Sequence, residues 1–171
     1  EGDYGEIGDG ASADRPTPVQ VPGHLWSQGP DQAGPWFIQQ SNNSWLVSIE
    51  AEHFGTNLAR GAHAWVAGTN VAGFSGDGHM EATPNIGTNW DTGAFAANSP
   101  RMDFRVRFVT TGPHNVWVRG RAAGGADDSL HAGLDGLPIG AADRINGFST
   151  SWAWSKGTMD GGAATINVSA P

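Results

Sequence analysis

One stretch of strict alternation sets the scale of the structural elements in this chain. From Met102 to Phe108 every second residue is apolar, and the residues between them are polar or charged. Successive side chains of a strand point to opposite faces, so this pattern predicts a half-buried β-strand. The turn sequence Thr111-Gly112-Pro113 follows soon afterwards, which keeps the strand short and leads the chain into the next one.

Similar short patterns continue towards the C-terminus. Val116 and Val118 form the apolar face of a second predicted strand, and Trp117 lies on its opposite face. Residues 129–135, which end in an Asp-Gly turn, and residues 164–168 repeat the alternation. Glycine accounts for 26 of the 171 residues, a composition that favours short strands joined by tight turns over helices. We therefore predict an all-β fold, an antiparallel β-sandwich or barrel.

The chain divides into an N-terminal arm and a folded domain. Residues 1–44 are rich in glycine and proline without a sustained period, which is typical of an extended arm or linker. They also contain Trp26 and Trp36, so we expect part of the arm to pack on the domain. Residues 45–171 form the predicted sandwich. Its last strand ends close to Pro171, so either the fold is complete or a closing strand is missing, and the arm could pair with the open edge.

Charge and composition exclude several classes of function. The formal net charge is −8, and nucleic-acid binding usually needs clustered Lys and Arg, so we expect no nucleic-acid partner. No apolar run approaches the roughly 20 residues of a membrane helix, so we expect no membrane contact. The absence of cysteine excludes disulfides and thiolate chemistry. The histidines occur singly rather than at metal-ligand spacing, so zinc is not predicted.

Two carboxylates have a spacing that suits a bound cation. Glu50 and Glu52 lie in a segment with a strand-like pattern, so both would point to the face opposite Val47 and Ile49. Two like charges this close repel each other unless something compensates them, and Ca²⁺ takes six to eight oxygen ligands. A solvated strand face explains the same pattern, and the residues alone leave both interpretations open.

Several tryptophans are candidates for binding carbohydrate. An indole ring can stack on the apolar face of a pyranose while neighbouring polar groups bond its hydroxyls. Trp152 and Trp154 are two residues apart, so in an extended segment both would form one platform, although packing in the core is the alternative for each. Trp117 is interpreted as structural. The candidate carbohydrate-binding residues are Trp65, Asn89, Trp90, Asp91, Trp152 and Trp154.

A local group of arginines contrasts with the acidic composition. We expect these residues to lie on two adjoining strands. Arginine holds carboxylate or sulfate in a bidentate fork, so the group could bind uronic-acid or sulfated sugars. Pairing with nearby aspartates is the alternative, because cross-strand ion pairs are common on outer sheet faces. The arginines concerned are Arg101, Arg105, Arg107, Arg119 and Arg121.

The order of the motifs resembles the carbohydrate-binding modules of the family 6 and family 35 type, over roughly residues 45–170. The motifs are Ile49-Glu50-Ala51-Glu52-His53-Phe54, residues 73–80, 102–106 and 112–119, Leu134-Asp135-Gly136, Trp152-Ala153-Trp154 and the strand at 164–168. The resemblance implies a secreted, calcium-containing β-jelly roll attached to a polysaccharide-degrading enzyme. It also implies that Glu50 and Glu52 bind structural Ca²⁺ with backbone carbonyls. The aspartate that such modules supply from a final strand has no counterpart before Pro171.

These features predict a noncatalytic, extracellular domain that binds a polysaccharide or oligosaccharide through tryptophan platforms on a Ca²⁺-stabilised jelly roll. Its further partners would be a catalytic domain of the same protein or other copies of the chain. The alternative is a structural subunit of a secreted adhesin, sheath or fibre that assembles through the open strand edge and the arm. A glycosidase needs two facing carboxylates about 5 to 10 Å apart in a cleft. Glu50 and Glu52 share one predicted strand, so we expect no enzyme activity.

Overall fold

Twelve short strands carry the architecture of the residues that the computed structural model describes, which are 34–41, 44–90 and 93–170. The strands are β1 (Trp36–Ile38), β2 (Thr56–Leu58), β3 (Ala64–Gly68), β4 (His79–Thr83), β5 (Arg101–Asp103), β6 (Arg105–Arg107), β7 (Gly112–Asn115), β8 (Val118–Gly120), β9 (Gly133–Leu134), β10 (Leu137–Pro138), β11 (Ala153–Ser155) and β12 (Thr165–Val168). All the described residues belong to one compact unit, Ala33–Pro171.

Helical structure in this part of the chain is limited to single turns. One α-helical turn, α1, spans Phe95–Asn98, and two 3-10 turns span Ala51–His53 and Gly140–Ala142. No helix within the described ranges has the length and apolar character needed to cross a membrane. The prediction of an all-β class is confirmed.

The strands pair two by two. Five of the six ribbons in the described residues are antiparallel: β2 with β5, β3 with β4, β7 with β12, β8 with β11, and β9 with β10. The sixth joins β1 to β6 in parallel. Four of these six ribbons join segments that are far apart in sequence, and only β3–β4 and β9–β10 join neighbouring strands.

The alternating stretch at 102–108 forms two strands rather than one. β5 pairs with β2, whereas β6 pairs with β1, and Phe104 stands between them outside both ladders. Its ring contacts Phe37 edge to face, with 6.2 Å between the ring centres. The extended backbone predicted from the alternation is present, but the chain changes its pairing partner in the middle, so the ladder is interrupted.

The segment from Gly112 to Gly120 also serves two partners. Its first half, β7, pairs with β12, and its second half, β8, pairs with β11. Val116 and Val118 pack against the buried core, which centres on Ala142, Ile145 and Ala164. The predicted division of this strand into an inner valine face and an outer face is confirmed.

The Asp-Gly turn predicted after residues 129–134 joins β9 to β10. Asp135 and Gly136 have φ angles of +52° and +76°, the pair of left-handed conformations that a tight two-residue hairpin turn requires. Leu130 lies upstream of this hairpin and bridges Ile145 in the core. The last predicted strand, at 164–168, corresponds to β12.

Part of the predicted arm enters the fold as β1. Its three residues pair with β6, and the backbone of Gln39 continues the ladder by donating to the carbonyl of Arg107 at 2.9 Å. The side chain of Gln39 is 1% exposed. Within the predicted arm, residues 1–33 and 42–43 lie outside the described residues.

Candidate binding face

The ribbon formed by β8 and β11 has one side against the protein and one side towards solvent. Val118 points to the core, and Phe148 covers Gly120 so closely that a Cβ atom there would lie 2.7 Å from Cδ1 of the ring. Since strand side chains alternate, Trp117 and Arg119 point the other way. β11 contributes its own alternate residues to that outer side because the two strands are in register.

The outer side of this ribbon is here called the tryptophan–cation face. It consists of Trp117, Arg119, Trp152, Trp154 and Lys156. Trp154 stands directly opposite Arg119 in the ladder. Its side chain is 64% exposed and that of Trp117 is 52% exposed. Two large indole rings therefore reach solvent on the same surface.

Each cation of the face lies over an indole ring. Nζ of Lys156 is 5.0 Å from the centre of the Trp117 ring, and Cζ of Arg119 is 5.4 Å from the centre of the Trp152 ring. Contacts of this kind contribute about 0.5 to 1 kcal/mol at exposed sites. They restrict the orientation of the rings, so less side-chain entropy is lost when a ligand stacks on them.

Trp152 is anchored at the end of the face. Its Nε1 donates to the carbonyl of Ala72 at 3.0 Å, and its ring meets His79 at 5.7 Å edge to face. Arg119 donates to the carbonyl of Gly73 at 2.7 Å, and a Cβ at Gly73 would lie 3.0 Å from Cδ1 of Trp152. The loop at 72–73 is thereby held against the ribbon, and Trp152 is partly buried by it.

The other candidate tryptophans lie near α1 instead. Trp65 is a partly buried residue of β3 whose Nε1 donates to the carbonyl of Pro100 at 3.0 Å. Trp90 packs edge to face on His63 at 5.0 Å, and its ring covers Gly61 so tightly that any side chain there would clash with it. Trp65 and Trp90 thus have structural contacts of their own, whereas Trp152 and Trp154 are brought together on the ribbon.

Asn89 and Asp91 are the two polar candidates beside Trp90. Asn89 is exposed. Asp91 lies outside the described residues.

Trp117, which the sequence analysis interprets as structural, has an exposed ring that lies on the same face as Trp154. The alternation of the sequence predicts that the Trp117 side chain points outward, because it lies between Val116 and Val118, which pack against the core. The alternation does not predict whether another segment of the chain covers that outer side.

The predicted strand carrying Glu50 and Glu52 is wrong. Residues 51–53 form a 3-10 turn, Glu50 is its N-cap residue, and Ile49 is 38% exposed rather than buried in a core. The turn nevertheless directs both carboxylates to one place. Oε1 of Glu52 and Cδ of Glu50 lie 2.5 and 3.3 Å from the point that a Cβ of Gly76 would occupy.

Each carboxylate accepts one hydrogen bond from the Gly76 loop. The backbone N–H of Asp77 donates to Glu52 at 2.9 Å, and the hydroxyl of Ser75 donates to Glu50 at 3.2 Å. Gly76 has a φ of +68°, which only glycine adopts at little cost. The absence of a side chain at this position is what lets both carboxylates approach the loop.

The oxygen chemistry around Gly76 suits a hard cation such as Ca²⁺, but the number of protein ligands is small. Glu50 and Glu52 supply the carboxylates, and Ca²⁺ takes six to eight oxygens. In the described part of the chain no group of three or more His, Cys, Asp or Glu side chains is placed to hold a metal ion. Bound Ca²⁺ would need backbone carbonyls and water to complete its coordination.

The prediction that the arginines lie on two adjoining strands is wrong. Arg101 belongs to β5, Arg105 and Arg107 to β6, and Arg119 to β8, and these strands pair with three different partners. The chain changes partner between β5 and β6, which separates residues that are close in sequence.

Two arginines outside the tryptophan–cation face, Arg101 and Arg144, form ion pairs with aspartates. Arg101 pairs with Asp103 at 2.9 Å. Arg144 pairs with Asp143 at 3.1 Å and also with Asp160. The hydrogen bonds that Arg144 donates to Asp143 and to Asp160 raise the pKa of Arg144 above its ordinary value.

Comparison of this chain with protein-family models, with curated proteins and with solved structures finds no match.

Proposed function

We propose that this protein is a noncatalytic domain that binds an extracellular polysaccharide or oligosaccharide. The observation that carries the proposal is the exposure of Trp117 and Trp154 on one side of the β8–β11 ribbon. Rigid indole rings of this kind are suited to the apolar faces of sugar rings, and the N–H groups beside them can bond hydroxyls. The order of the motifs, which resembles the family 6 and family 35 modules, supports the same function.

The expected affinity is low. An open, strand-borne surface with two stacking rings encloses little of its ligand, so a dissociation constant of roughly micromolar to millimolar follows. Such a domain is effective when it is tethered, because linkage to a catalytic domain of the same protein or to other copies raises the local concentration.

The finer architecture belongs to the proposal as well. We place the short strands in a jelly-roll sandwich, secreted from the cell and stabilised by Ca²⁺ at Glu50 and Glu52. Two facts support this: the strand-rich fold and the convergence of both carboxylates on the Gly76 loop.

The alternative function is a structural subunit of an adhesin, sheath or fibre. Its support is that β12, within the described residues, pairs with β7 alone and so offers a second edge. The other ribbons are also two-stranded, so an open edge does not distinguish β12. The β8–β11 ribbon carries two exposed tryptophans on one side, whereas the β1–β6 ribbon carries one, Trp36, and for this reason carbohydrate binding is preferred.

The deciding experiment is a glycan array combined with pull-down on insoluble polysaccharides. The variants are Trp117→Ala and Trp154→Ala. The matched control is Trp36→Ala, because Trp36 is 48% exposed and lies under Arg105 at 4.1 Å, but belongs to β1 in a different sheet.

Binding that falls at least tenfold in each ribbon variant and persists in the control supports the proposal, since about 1 to 2 kcal/mol of stacking is lost. Failure to bind any glycan, together with migration as a large assembly, would instead favour the structural subunit. Turnover of a bound glycan that disappears in a folded Glu52→Gln variant would contradict the noncatalytic assignment.

A further inference from the structure

The two cations of the tryptophan–cation face, Arg119 and Lys156, contact indole rings in the described part of the chain. Among the described residues, no carboxylate lies within ion-pair distance of Arg119 or Lys156, whereas Arg101 and Arg144 each contact an aspartate. The hydrogen bond from Arg119 to the carbonyl of Gly73 involves Nη2, which leaves other N–H groups of the guanidinium for a ligand.

The rings and cations of the face lie side by side along the ribbon. Arg119 is opposite Trp154 in the ladder. Two residues further along, beyond the end of the ladder, Nζ of Lys156 lies 5.0 Å from the centre of the Trp117 ring. At the other end, the cation over Trp152 is again Arg119, with Cζ 5.4 Å from the ring centre. Steps of two residues along a strand are about 6.6 Å apart, so the face presents two exposed rings and two positive charges within a short distance.

Two polar properties of this surface point to the charge of its ligand. Arginine and lysine donate hydrogen bonds and accept none, so the polar groups of the face match a ligand rich in acceptors. The chain as a whole carries a net charge of −8, and the face is a local exception within it. Anionic groups on a sugar chain would match the two positive charges while its sugar rings lie beside the exposed indoles.

We propose that the tryptophan–cation face binds an acidic polysaccharide. This inference rests on the proposed function and specifies its ligand class. Carboxylate or sulfate groups bind Arg119 and Lys156, and sugar rings stack on the exposed indoles of Trp117 and Trp154. A nucleic acid shares the acidic backbone and the stacking rings, but its dense phosphate charge is repelled by an acidic protein that offers so few cations.

The test uses pairs of polysaccharides that share a backbone and differ in charge. Polygalacturonate is compared with its methyl-esterified form for carboxylate, and a sulfated galactan with its desulfated form for sulfate. Polyuridylate is the nucleic-acid probe. Binding of the full chain is measured by affinity electrophoresis in 50 and 500 mM salt.

At the lower salt concentration we expect one acidic member to bind at least about tenfold more tightly than its neutral partner, with the difference shrinking at high salt. Arg119→Gln and Lys156→Gln each reduce this preference about fivefold. Arg107→Gln removes the same charge from an exposed position in a different sheet and leaves the preference unchanged. Urea unfolding of each variant confirms that it folds.

Four results would overturn the inference. Equal binding of acidic and neutral partners would leave the proposed function standing and remove its charge preference. An equal loss in Arg107→Gln would mean that net charge rather than this face is responsible, and tighter binding of polyuridylate would favour nucleic acid. Failure of every polysaccharide to bind would overturn both the inference and the proposed function.

Discussion

The side-chain amide nitrogen of Gln39 lies 3.0 Å from Nε2 of His114, 75 residues further along the chain. Nδ1 of His114 is 2.9 Å from the carbonyl of Gly112. Both contacts are satisfied when the imidazole is neutral with its proton on Nδ1, so that Nε2 accepts from Gln39. One buried glutamine therefore ties the strand β1 segment to the turn before β7.

Replacing Gln39 by leucine is expected to lower the free energy of unfolding by about 2 to 4 kcal/mol. The side-chain oxygen of Gln39 accepts hydrogen bonds from the backbone N–H groups of Val109 and Thr110, at 2.8 and 3.1 Å. Its side-chain amide nitrogen donates to the backbone carbonyl of Trp45 at 2.9 Å. Leucine preserves the volume but removes the partner of these part-buried hydrogen bonds. Urea denaturation measures the change.

The neighbouring residue provides the control for that measurement. Gln40 is exposed, and Gln40→Leu should alter the free energy of unfolding by no more than about 0.5 kcal/mol. A Gln39→Leu protein as stable as the wild type would show that the hydrogen bonds around Gln39 contribute nothing net to folding.

The two tryptophans of the Trp-Ala-Trp motif should separate in a stability measurement. Trp152→Ala removes a ring packed on His79 and a hydrogen bond to Ala72, so we expect a loss of about 2 to 3 kcal/mol. Trp154→Ala removes an exposed ring and should cost less than about 1 kcal/mol. Thermal and urea unfolding of both variants give the comparison. Similar losses in both would mean that Trp154 is a packing residue, which would argue against its role as a platform.

Calcium should stabilise the protein if Glu50 and Glu52 hold it. A ligand present at about 100 times its dissociation constant adds about 2.7 kcal/mol to the free energy of unfolding, so Ca²⁺ should raise the melting temperature and EDTA should reverse the rise. Glu52→Gln should abolish the response. Glu81→Gln, which changes an exposed residue of β4, should retain it. A melting temperature that is indifferent to Ca²⁺ in the wild-type protein would rule out the site.

A pair of glycine variants tests the same loop in another way. Gly76 and Gly161 have φ angles of +68° and +83°, so alanine at either position should cost about 1 kcal/mol through backbone strain. A Cβ at Gly161 meets open space, whereas one at Gly76 meets both carboxylates. Only Gly76→Ala should therefore lose the stabilisation by Ca²⁺. Calorimetry with and without the metal distinguishes the two variants, and equal responses would place Ca²⁺ elsewhere.

Local patterns predicted the features that depend on neighbouring residues. The outward position of Trp117 and the inward position of the flanking valines follow from alternation. The hairpin turn at Asp135 and Gly136 follows from the ability of that dipeptide to adopt positive φ angles. Each of these properties is settled within a few residues, because strand geometry and turn chemistry act over that distance.

The Glu50-Ala51-Glu52 segment shows where such patterns fail. Carboxylates two residues apart suit an extended strand, but the same spacing also fits the 3-10 turn that the chain adopts. The hydrogen bonds to the two carboxylates come from Ser75 and Asp77, 25 residues away. Residues near Glu50 in sequence carry no information about that loop.

By itself, the sequence determined that this protein is built from short strands and tight turns, and which side chains of each strand share a face. Only the tertiary structure decided which strands pair, that β5 and β6 take different partners, and that the outer side of the β8–β11 ribbon stays exposed with its cations free of acidic partners among the described residues. The physical reason is that alternation is a property of the local backbone, whereas pairing and exposure depend on segments brought together from distant parts of the chain.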